Sequence, residues 1–350
     1  MFKSIRDFNV SEKKVLVRCD FNVPIDGEGN ILDDFRIVET LPTIEYLIKN
    51  NAKTILISHL KDPEGKVVDI LRFNKIQQKL SELLNTAVKK AEDCIGQEVK
   101  ELVYNLKSGE VLLLENLRFH KEEIENNLEF AKEISLLADI YINDAFGVDH
   151  RNHASIISVP KFLPHGAGLL LEKEIAILDK IMKSPEKPMI AIIGGQKAET
   201  KVKLIDKISE IADFVIISGL IKKEVIENKI KFNFPDKIIG PESSLDNLDI
   251  NEKTIKLFRE KIKDAKTILW NGPFGKIEDE NYKNGTMEIA MAIIKSKAYA
   301  VVGGGETIEF LNNEKLLKNF SYVCTGGGAM LQYLSGDKLP GIEALDSDTY

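Results

Sequence analysis

The chain has 350 residues, of which 43% are hydrophobic and 29% charged, and this composition excludes wholesale disorder and a collagen-like chain. Its length corresponds to about two domains at roughly 150 residues each. The net charge of −7 argues against a dedicated nucleic-acid partner, and no apolar run approaches the roughly 18 residues that a membrane span needs.

The N-terminus and the cysteines indicate the compartment. Met1–Asp7 is interrupted by charge and lacks the apolar region of a secretory signal. Cys19, Cys94 and Cys324 are far apart and form no C-x-x-C pair, so the sequence predicts neither a disulfide framework nor a cysteine-based zinc site. We therefore expect a cytoplasmic protein.

Short apolar runs alternate with longer helical patterns along the whole chain. The predicted strands are Lys14–Phe21, Lys53–Leu60, Val111–Leu114, Ile140–Asn143, Met189–Ile193, Phe214–Ile217, Thr267–Trp270, Tyr299–Val302 and Tyr322–Thr325. The predicted helices include Ile37–Lys49, Asn74–Leu84, Leu128–Leu137, Leu170–Met182, Ala198–Ile211, Thr286–Lys295 and Thr307–Leu317. This alternation predicts an α/β fold with parallel sheets covered on both faces, which bind ligands beyond the carboxyl ends of their strands.

Prolines and glycines divide the chain into two halves. Several lie between residues 160 and 168, before the helical pattern Leu170–Met182, and Pro185 and Pro188 follow it. We predict an N-terminal domain over residues 1–168, an interdomain helix over 169–184 and a C-terminal domain over 185–331.

Polar and basic residues follow the strands of the first half. They are Arg18, Asp20, Asn22, Arg36, His59, Arg118 and Arg151. Arginine pairs bidentately with carboxylate and phosphate, so several arginines at one sheet edge favour a small phosphorylated acid as ligand. Any single arginine could instead form a surface ion pair. His150 and His153 have H-x-x-H spacing, but no further ligand at usable spacing supports a zinc site.

Glycines follow the strands of the second half, with triple-glycine turns at Gly303–Gly305 and Gly326–Gly328. A lone glycine pair is explained by a tight turn. Two triple-glycine turns favour phosphate binding by backbone N–H groups at helix N-termini. No Walker A motif and no G-x-G-x-x-G motif is present, which disfavours a P-loop kinase and a standard dinucleotide fold.

Lys197 and Lys201 share one helix face with Leu204 and Ile208. Cations in a first helical turn oppose the helix dipole, and a bound polyanion would offset that cost. The alternative is a pair of lysines that extend to solvent. Glu306 could hold Mg²⁺ or serve only as a first-turn acid, and Glu278 could bind a ribose or lie on the surface.

Many of these residues fall in longer strings that resemble phosphoglycerate kinases. The strings are Val17–Pro24, Arg36–Ile44, Ser58–Leu60, Leu113–His120, Asn143–Gly147, Gly194–Gly195 with Lys197 and Lys201, Trp270–Pro273, Gly303–Thr307, Thr325–Ala329 and Leu339–Ile342. They run nearly end to end, in the order of that family.

The resemblance implies two Rossmann-like domains that face each other across a cleft and close by hinge bending, with the tail 332–350 packed on the N-terminal domain. It implies reversible phosphoryl transfer between 1,3-bisphosphoglycerate and ADP, giving 3-phosphoglycerate and ATP in glycolysis. It further implies Mg²⁺ with ATP or ADP, a monomer, and no nucleic-acid or membrane partner.

The resemblance also assigns roles residue by residue. The catalytic residues are Arg36, Lys197, Gly304 and Gly327. The phosphoglycerate ligands are Asp20, Asn22, Arg36, His59, Arg118 and Arg151. The nucleotide ligands are Gly195, Lys197, Lys201, Asn271, Glu278, Gly304, Gly305, Glu306 and Thr307, with Glu306 also the metal ligand.

Four features depart from the family pattern. Lys61-Asp62-Pro63 stands where Gly-Arg-Pro is usual, Thr200 and Glu306 each replace an aspartate, and the stretch from Gly219 to Trp270 is short. They leave two alternatives to the kinase: a catalytically weakened binding or scaffold protein, and a kinase for another phosphorylated carboxylic acid. We expect Asp62 to turn outward, because Asp62-Pro63-Glu64-Gly65 favours a turn.

Overall fold

The computed structural model describes residues 2–195, 199–243 and 245–346, with side chains omitted at 199 and 200. The chain divides into two units, one formed by Met1–Ile175 with Lys338–Tyr350 and the other by Ala176–Asp337. No helix in the described ranges is long and apolar enough to cross a membrane.

The first unit is built on a six-stranded parallel sheet. Its strands are β1 (Lys14–Cys19), β2 (Lys53–Ile57), β3 (Val88–Lys90), β4 (Val111–Leu113), β5 (Ile140–Asp144) and β6 (His165–Ala167), in the order β3-β4-β2-β1-β5-β6. Central strand β1 reads Lys-Val-Leu-Val-Arg-Cys and is buried after its first residue, as expected for a sheet covered on both faces.

The second unit repeats this architecture with another strand order. Its strands are β7 (Met189–Ile193), β8 (Phe214–Ile217), β9 (Ile238–Ile239), β10 (Thr267–Asn271), β11 (Tyr299–Gly303) and β12 (Tyr322–Val323), in the order β12-β11-β10-β7-β8-β9. The order reverses between β7 and β10, and ligands of such sheets bind outside that point. The prediction of an α/β fold with two parallel sheets is confirmed.

Helices connect the strands. They are α1 (Phe35–Lys49), α2 (Asn74–Leu83), α3 (Gln97–Tyr104), α4 (Lys121–Ile124), α5 (Leu128–Ser135), α6 (Leu169–Lys183), α7 (Glu199–Ser209), α8 (Gly219–Glu227), α9 (Glu252–Ile262), α10 (Asn284–Ser296), α11 (Gly305–Asn313), α12 (Gly327–Leu334) and α13 (Pro340–Asp346). Side chains cap several of them: Asn127 accepts a hydrogen bond from Phe130 N, and Asn251 accepts one from Thr254 N.

Helix α6 begins in the first unit, and the division of the chain falls within it, after Ile175. Its N-terminus is fixed by Asp144, at the end of β5, whose Oδ1 accepts hydrogen bonds from Leu170 N and Leu171 N. Burial raises the pKa of Asp144 to about 7. Helix α13 packs in the first unit, where Gly341 N donates to Asp149 O at 2.9 Å.

Candidate active site

The carboxyl ends of β1, β2 and β4 in the first unit carry a cluster of cations. Arg36, in the first turn of α1, donates from Nη1 to Asn22 O at 3.0 Å, and the same nitrogen lies 3.1 Å from Asp20 Oδ2. Its side chain remains 28% exposed. The loop after β1 therefore fixes one corner of the guanidinium and leaves the rest to meet an anion.

His59, two residues beyond β2, lies at the centre of the cluster. It is buried, and its Nδ1 lies 3.2 Å from Arg18 Nη2. Burial and the charges of Arg18, Arg118 and Arg36 lower its pKa well below the usual range. His59 is therefore a neutral hydrogen-bonding group among cations.

Arg18 was predicted from its strand-end position as one of the anion-facing arginines, and this prediction is wrong. The side chain is fully buried, with Nε donating to Ser155 Oγ at 2.8 Å and Nη2 3.9 Å from Glu123 Oε1. Glu123 in turn accepts hydrogen bonds from Ser155 N and Oγ. Arg18 is an internal charge that holds His59 in place.

Arg118 and Arg151 complete the cationic cluster. Arg118 lies in the turn Leu117–Phe119 after β4, and its pKa is lowered by burial and then by the charge of Arg18, with Arg151 contributing. Its buried Nε has no hydrogen-bond partner in the described part of the chain, and neither has the buried Nδ1 of His153. Asp20 Oδ2, in contrast, is engaged by Arg36 Nη1 at 3.1 Å. Arg151 is exposed. A cationic site with unsatisfied buried polar atoms is suited to an anionic ligand with further polar groups.

Sequence reasoning gave His153 no role in this cluster. The residue is buried, and burial together with Arg118, Arg18 and Arg151 lowers its pKa to about 3. The sequence places His153 two residues after Arg151, which could have indicated a role in the cluster. The sequence analysis considered His153 only as a zinc ligand, because of the H-x-x-H spacing. His150 and His153 belong to no group of metal-ligating side chains among the described residues.

The loop after His59 contains Lys61-Asp62-Pro63, which departs from the Gly-Arg-Pro that is usual in the family. Lys61 has a left-handed φ of 55°, its N donates to Asn22 Oδ1 at 2.9 Å, and its O accepts from Arg118 Nη1 at 2.7 Å. Asp62 is exposed, yet its charge acts on Arg118 and partly opposes the lowering of that pKa. The exposure of Asp62 agrees with the expected outward turn.

In the second unit, the carboxyl ends of the strands carry glycine turns instead of a cationic cluster. Gly194 N donates to Asn271 O at 2.8 Å, joining the ends of β7 and β10 where the strand order reverses. Gly195 has a φ of 79°, and a Cβ there would lie 2.8 Å from Lys201 Nζ. The positive φ favours glycine at this turn, and the lysine ammonium lies directly beside it.

Lys201 points into this turn, where its Nζ donates to Gly194 O. The residue is 92% buried, leaving 8% of its surface exposed, and burial lowers its pKa while Glu306 and Glu224 act in the opposite direction. The predicted inward orientation is thus seen for Lys201. Lys197 lies outside the described residues.

The two triple-glycine turns lie against each other. Gly304 is the N-cap of α11 with a φ of 103°, and a Cβ on Gly327 would lie 2.6 Å from Gly304 Cα. Buried Asn271 Nδ2 has no hydrogen-bond partner within the described ranges, and a Cβ on Gly304 would lie 3.2 Å from it. Thr307 Oγ1 accepts from Gly272 N at 3.0 Å, so it supports the turn from within.

A cavity of about 260 Å³ opens beside these turns. Its lining includes Gly195, Glu278 and Glu306, and both glutamates are exposed. Its apolar wall includes Leu220, Leu245, Leu248, Ile250, Phe274 and Ile277. The short stretch after Gly219 therefore still supplies one side of the cavity, through the start of α8 and the segment between β9 and α9.

The structure thus brings the predicted residues together in two places. In the first unit Asp20, Asn22, Arg36, His59, Arg118 and Arg151 form the cationic cluster. In the second unit Gly195, Lys201, Asn271, Glu278, Gly304, Gly305, Glu306 and Thr307 lie in or beside the glycine turns and their cavity, and Gly327 contacts Gly304.

Comparison with known proteins relates both sites to one family. The family model described as phosphoglycerate kinase matches residues 5–231 and 222–337. A phosphoglycerate kinase of Dictyoglomus turgidum is 42% identical over an alignment of 349 positions, and the alignment covers 87% of this chain and 88% of the relative. That of Borrelia hermsii is 39% identical over 389 positions, covering 98% of this chain and 99% of the relative.

Solved structures agree. The crystal structure of phosphoglycerate kinase from Pyrococcus horikoshii has a TM-score of 0.87 and 31% identity, covering 99% of this chain and 98% of that one. The alignment with the Borrelia hermsii relative is longer than this chain, so that relative has residues without a counterpart here. The two family-model matches overlap at residues 222–231, within the stretch from Gly219 to Trp270 that is shorter than is usual in the family. The chain belongs to the phosphoglycerate kinase family.

Proposed function

We infer that this chain transfers a phosphoryl group reversibly between 1,3-bisphosphoglycerate and ADP, giving 3-phosphoglycerate and ATP in glycolysis, in the cytoplasm. The observation that carries the inference is the presence of two complementary sites. The first unit holds Arg36, His59 and Arg118 around buried unsatisfied polar atoms, and the second holds the glycine turns with Lys201.

The cationic cluster suits a small phosphorylated acid. Arg118, Arg151 and neutral His59 bind the phosphate and carboxylate, and Asp20 and Asn22 bind the hydroxyl. Arg36 remains partly exposed beside Asp20, and it neutralises the phosphoryl group during transfer.

The second unit binds the nucleotide. Its phosphates lie on N–H groups of the turns at Gly195, Gly304 and Gly327, with Lys201 as the buried cation. The apolar wall of the cavity takes the base, and Glu278 takes the ribose hydroxyls. Lys197, outside the described residues, is proposed to accompany the transferred phosphoryl group.

Glu306 is the proposed Mg²⁺ ligand. Its carboxylate is exposed in the cavity lining and acts on Lys201, so it offers the oxygen ligand that Mg²⁺ prefers beside the phosphate site. When bound with the nucleotide, Mg²⁺ supplies charge neutralisation on the phosphates.

The reaction places few acid–base demands on these side chains. Phosphoryl transfer requires in-line geometry and charge neutralisation. Arg36, Lys201 and the turn N–H groups provide donors for this purpose, and the low pKa values of His59 and His153 keep both imidazoles from exchanging protons near neutral pH. Water must be excluded, because an acyl phosphate hydrolyses readily.

An acceptor panel tests the proposal against a kinase for another acid. We expect turnover with 3-phosphoglycerate and Mg-ATP, and a large loss with glycerol 3-phosphate, which lacks the carboxylate that accepts the phosphoryl group. Faster turnover with a different phosphorylated carboxylic acid would replace the proposed substrate.

Glu306→Gln tests the metal ligand. We expect a higher Mg²⁺ requirement, because the metal loses an anionic ligand. Titration of activity against Mg²⁺ in both proteins measures it, with exposed Glu309→Gln of the same helix as control. An unchanged Mg²⁺ response in Glu306→Gln would reduce Glu306 to a first-turn acid.

Asp62→Asn tests the departure in the substrate loop. Because Asp62 is exposed, its repulsion of the ligand is screened, and removing it should tighten 3-phosphoglycerate binding by less than about fivefold. Calorimetric titration measures the change, and Asp69→Asn, which removes the charge of another exposed aspartate in the same unit, is the matched control. Much stronger tightening would mean that Asp62 opposes the substrate directly.

A further inference from the structure

We propose that Asp93, Cys94 and His120 form a binding site for a borderline-soft divalent cation such as Zn²⁺. The site lies in the first unit, apart from the cationic cluster, and the proposal does not depend on the proposed function. It differs from the sequence-based prediction, in which the wide spacing of the three cysteines argued against a cysteine-based zinc site.

The sheet topology brings the three residues together. Strands β3 and β4 are parallel neighbours at one edge of the sheet, with Lys90 paired to Leu113. Asp93 and Cys94 follow β3, and His120 follows the turn after β4, so loops at the same end of two adjacent strands meet. Glu115 N donates to Asp93 O at 3.3 Å, which ties these loops together.

The ligand atoms converge. The Asp93 carboxylate oxygen, Cys94 Sγ and a His120 ring nitrogen all lie within 4.8 Å of one another. His120 Nε2 lies 2.6 Å from Asp93 Oδ1. A tetrahedral cation with ligand distances of about 2.0–2.1 Å would replace the proton between them once the two atoms separate to about 3.3 Å. Sulfur, imidazole and carboxylate are the three protein ligand types of Zn²⁺, and three ligands leave a fourth position for water.

The surroundings favour a cation. The carboxylates of Glu122 and Glu133 lie close enough to act on His120, and Glu123 acts on Cys94. Burial, and then the charges of Asp93 and Glu123, raise the pKa of the Cys94 thiol well above its usual range, so the thiol stays protonated until a cation binds. A bound divalent cation would stabilise the thiolate among these carboxylates, and the thiol proton would leave to solvent.

An approach path and an oriented ligand are also present. A surface groove reaches the imidazole, and its charged lining residues are Glu122, Glu129, Glu133, Lys100 and Lys132. The Phe130 ring packs against the imidazole with centroids 5.4 Å apart, which restricts the orientation of His120. Asp93 is also exposed, so two of the three ligands are open to solvent although Cys94 is buried.

A bound metal would cross-link an edge strand of the sheet to the turn that carries Arg118. Strand β3 has only three residues, and a metal bridge between its loop and His120 stabilises that edge. The competing explanation is a simple His120–Asp93 ion pair, which requires no contribution from Cys94.

Cobalt titration of the full-length, nucleotide-free protein distinguishes the metal site from the simple His120–Asp93 ion pair. We expect one equivalent of Co²⁺ to produce a thiolate-to-cobalt charge-transfer band, which Zn²⁺ then abolishes by displacement. The nucleotide site cannot produce this signature, because none of the residues proposed for it is a cysteine.

Cys94→Ser should eliminate the band, and His120→Gln should weaken metal affinity by more than about tenfold. His120 is partly exposed, so His120→Gln should perturb folding less than a change at buried Cys94. If Cys94→Ser fails to fold, the His120→Gln variant tests the metal site. Cys324→Ser, which changes another buried cysteine, should keep the band. Absence of a band in the parent protein, or an unchanged band in His120→Gln, would overturn the proposal.

Discussion

Arg36→Ala is expected to lower the rate of phosphoryl transfer by about 10³–10⁵, the range observed when an arginine stabilising a phosphoryl transition state is removed. The guanidinium is held by Asn22 O and Asp20 through one nitrogen and remains partly exposed, so the rest of its donors can meet the migrating group. Nucleotide binding should be unchanged, because the glycine turns and Lys201 belong to the second unit.

Steady-state kinetics and a separate nucleotide titration measure these effects. Arg36→Lys should restore little of the rate, since a point charge does not reproduce the planar fork. Arg6→Ala, which removes an exposed arginine paired with Glu172 in the same unit, should leave the rate near the parent value. A comparable loss in Arg6→Ala, or weak nucleotide binding in Arg36→Ala, would contradict the assignment.

Lys201→Met should weaken Mg-ATP binding by about 10- to 150-fold, corresponding to loss of a charge-assisted hydrogen bond of roughly 1.5–3 kcal/mol. Methionine keeps most of the stem and removes the ammonium that donates to Gly194 O beside Gly195. Binding of 3-phosphoglycerate should not change, because its proposed ligands lie in the first unit.

Lys203→Met is the matched control, because Lys203 lies on the same helix but is exposed and paired with Asp337. Calorimetric titration of both variants with Mg-ATP provides the comparison. Equal weakening in the two variants would mean that Lys201 acts only through the general charge of the helix.

The sequence predicted the central strands well because they are buried on both faces. Strand β7, for example, has the predicted bounds Met189–Ile193. The edge strands β3, β6 and β9 were missed because two or three residues such as Val88-Lys89-Lys90 have no extended apolar pattern. Helix α11 ends at Asn313, four residues before the predicted end, because Lys315 adopts a left-handed φ of 58°.

The candidate site was predictable where residue type and strand end coincide, as for Arg36, His59 and the glycine turns. Side-chain direction was not predictable, which is why Arg18 was placed among the anion-facing arginines although it points inward to Ser155 and Glu123. Tertiary proximity was not predictable either. His153 joins the cationic cluster, and Cys94 meets His120, only because the sheet brings separate loops together.

The central claim is that both sites act in one phosphoryl-transfer reaction. The most direct measurement is a coupled assay that follows formation of 1,3-bisphosphoglycerate from 3-phosphoglycerate and Mg-ATP. We predict saturable turnover in both substrates, within the usual enzymatic range of about 1–10³ s⁻¹. Binding of both ligands without turnover, at any Mg²⁺ concentration, would contradict the claim and identify the chain as a catalytically weakened binding protein.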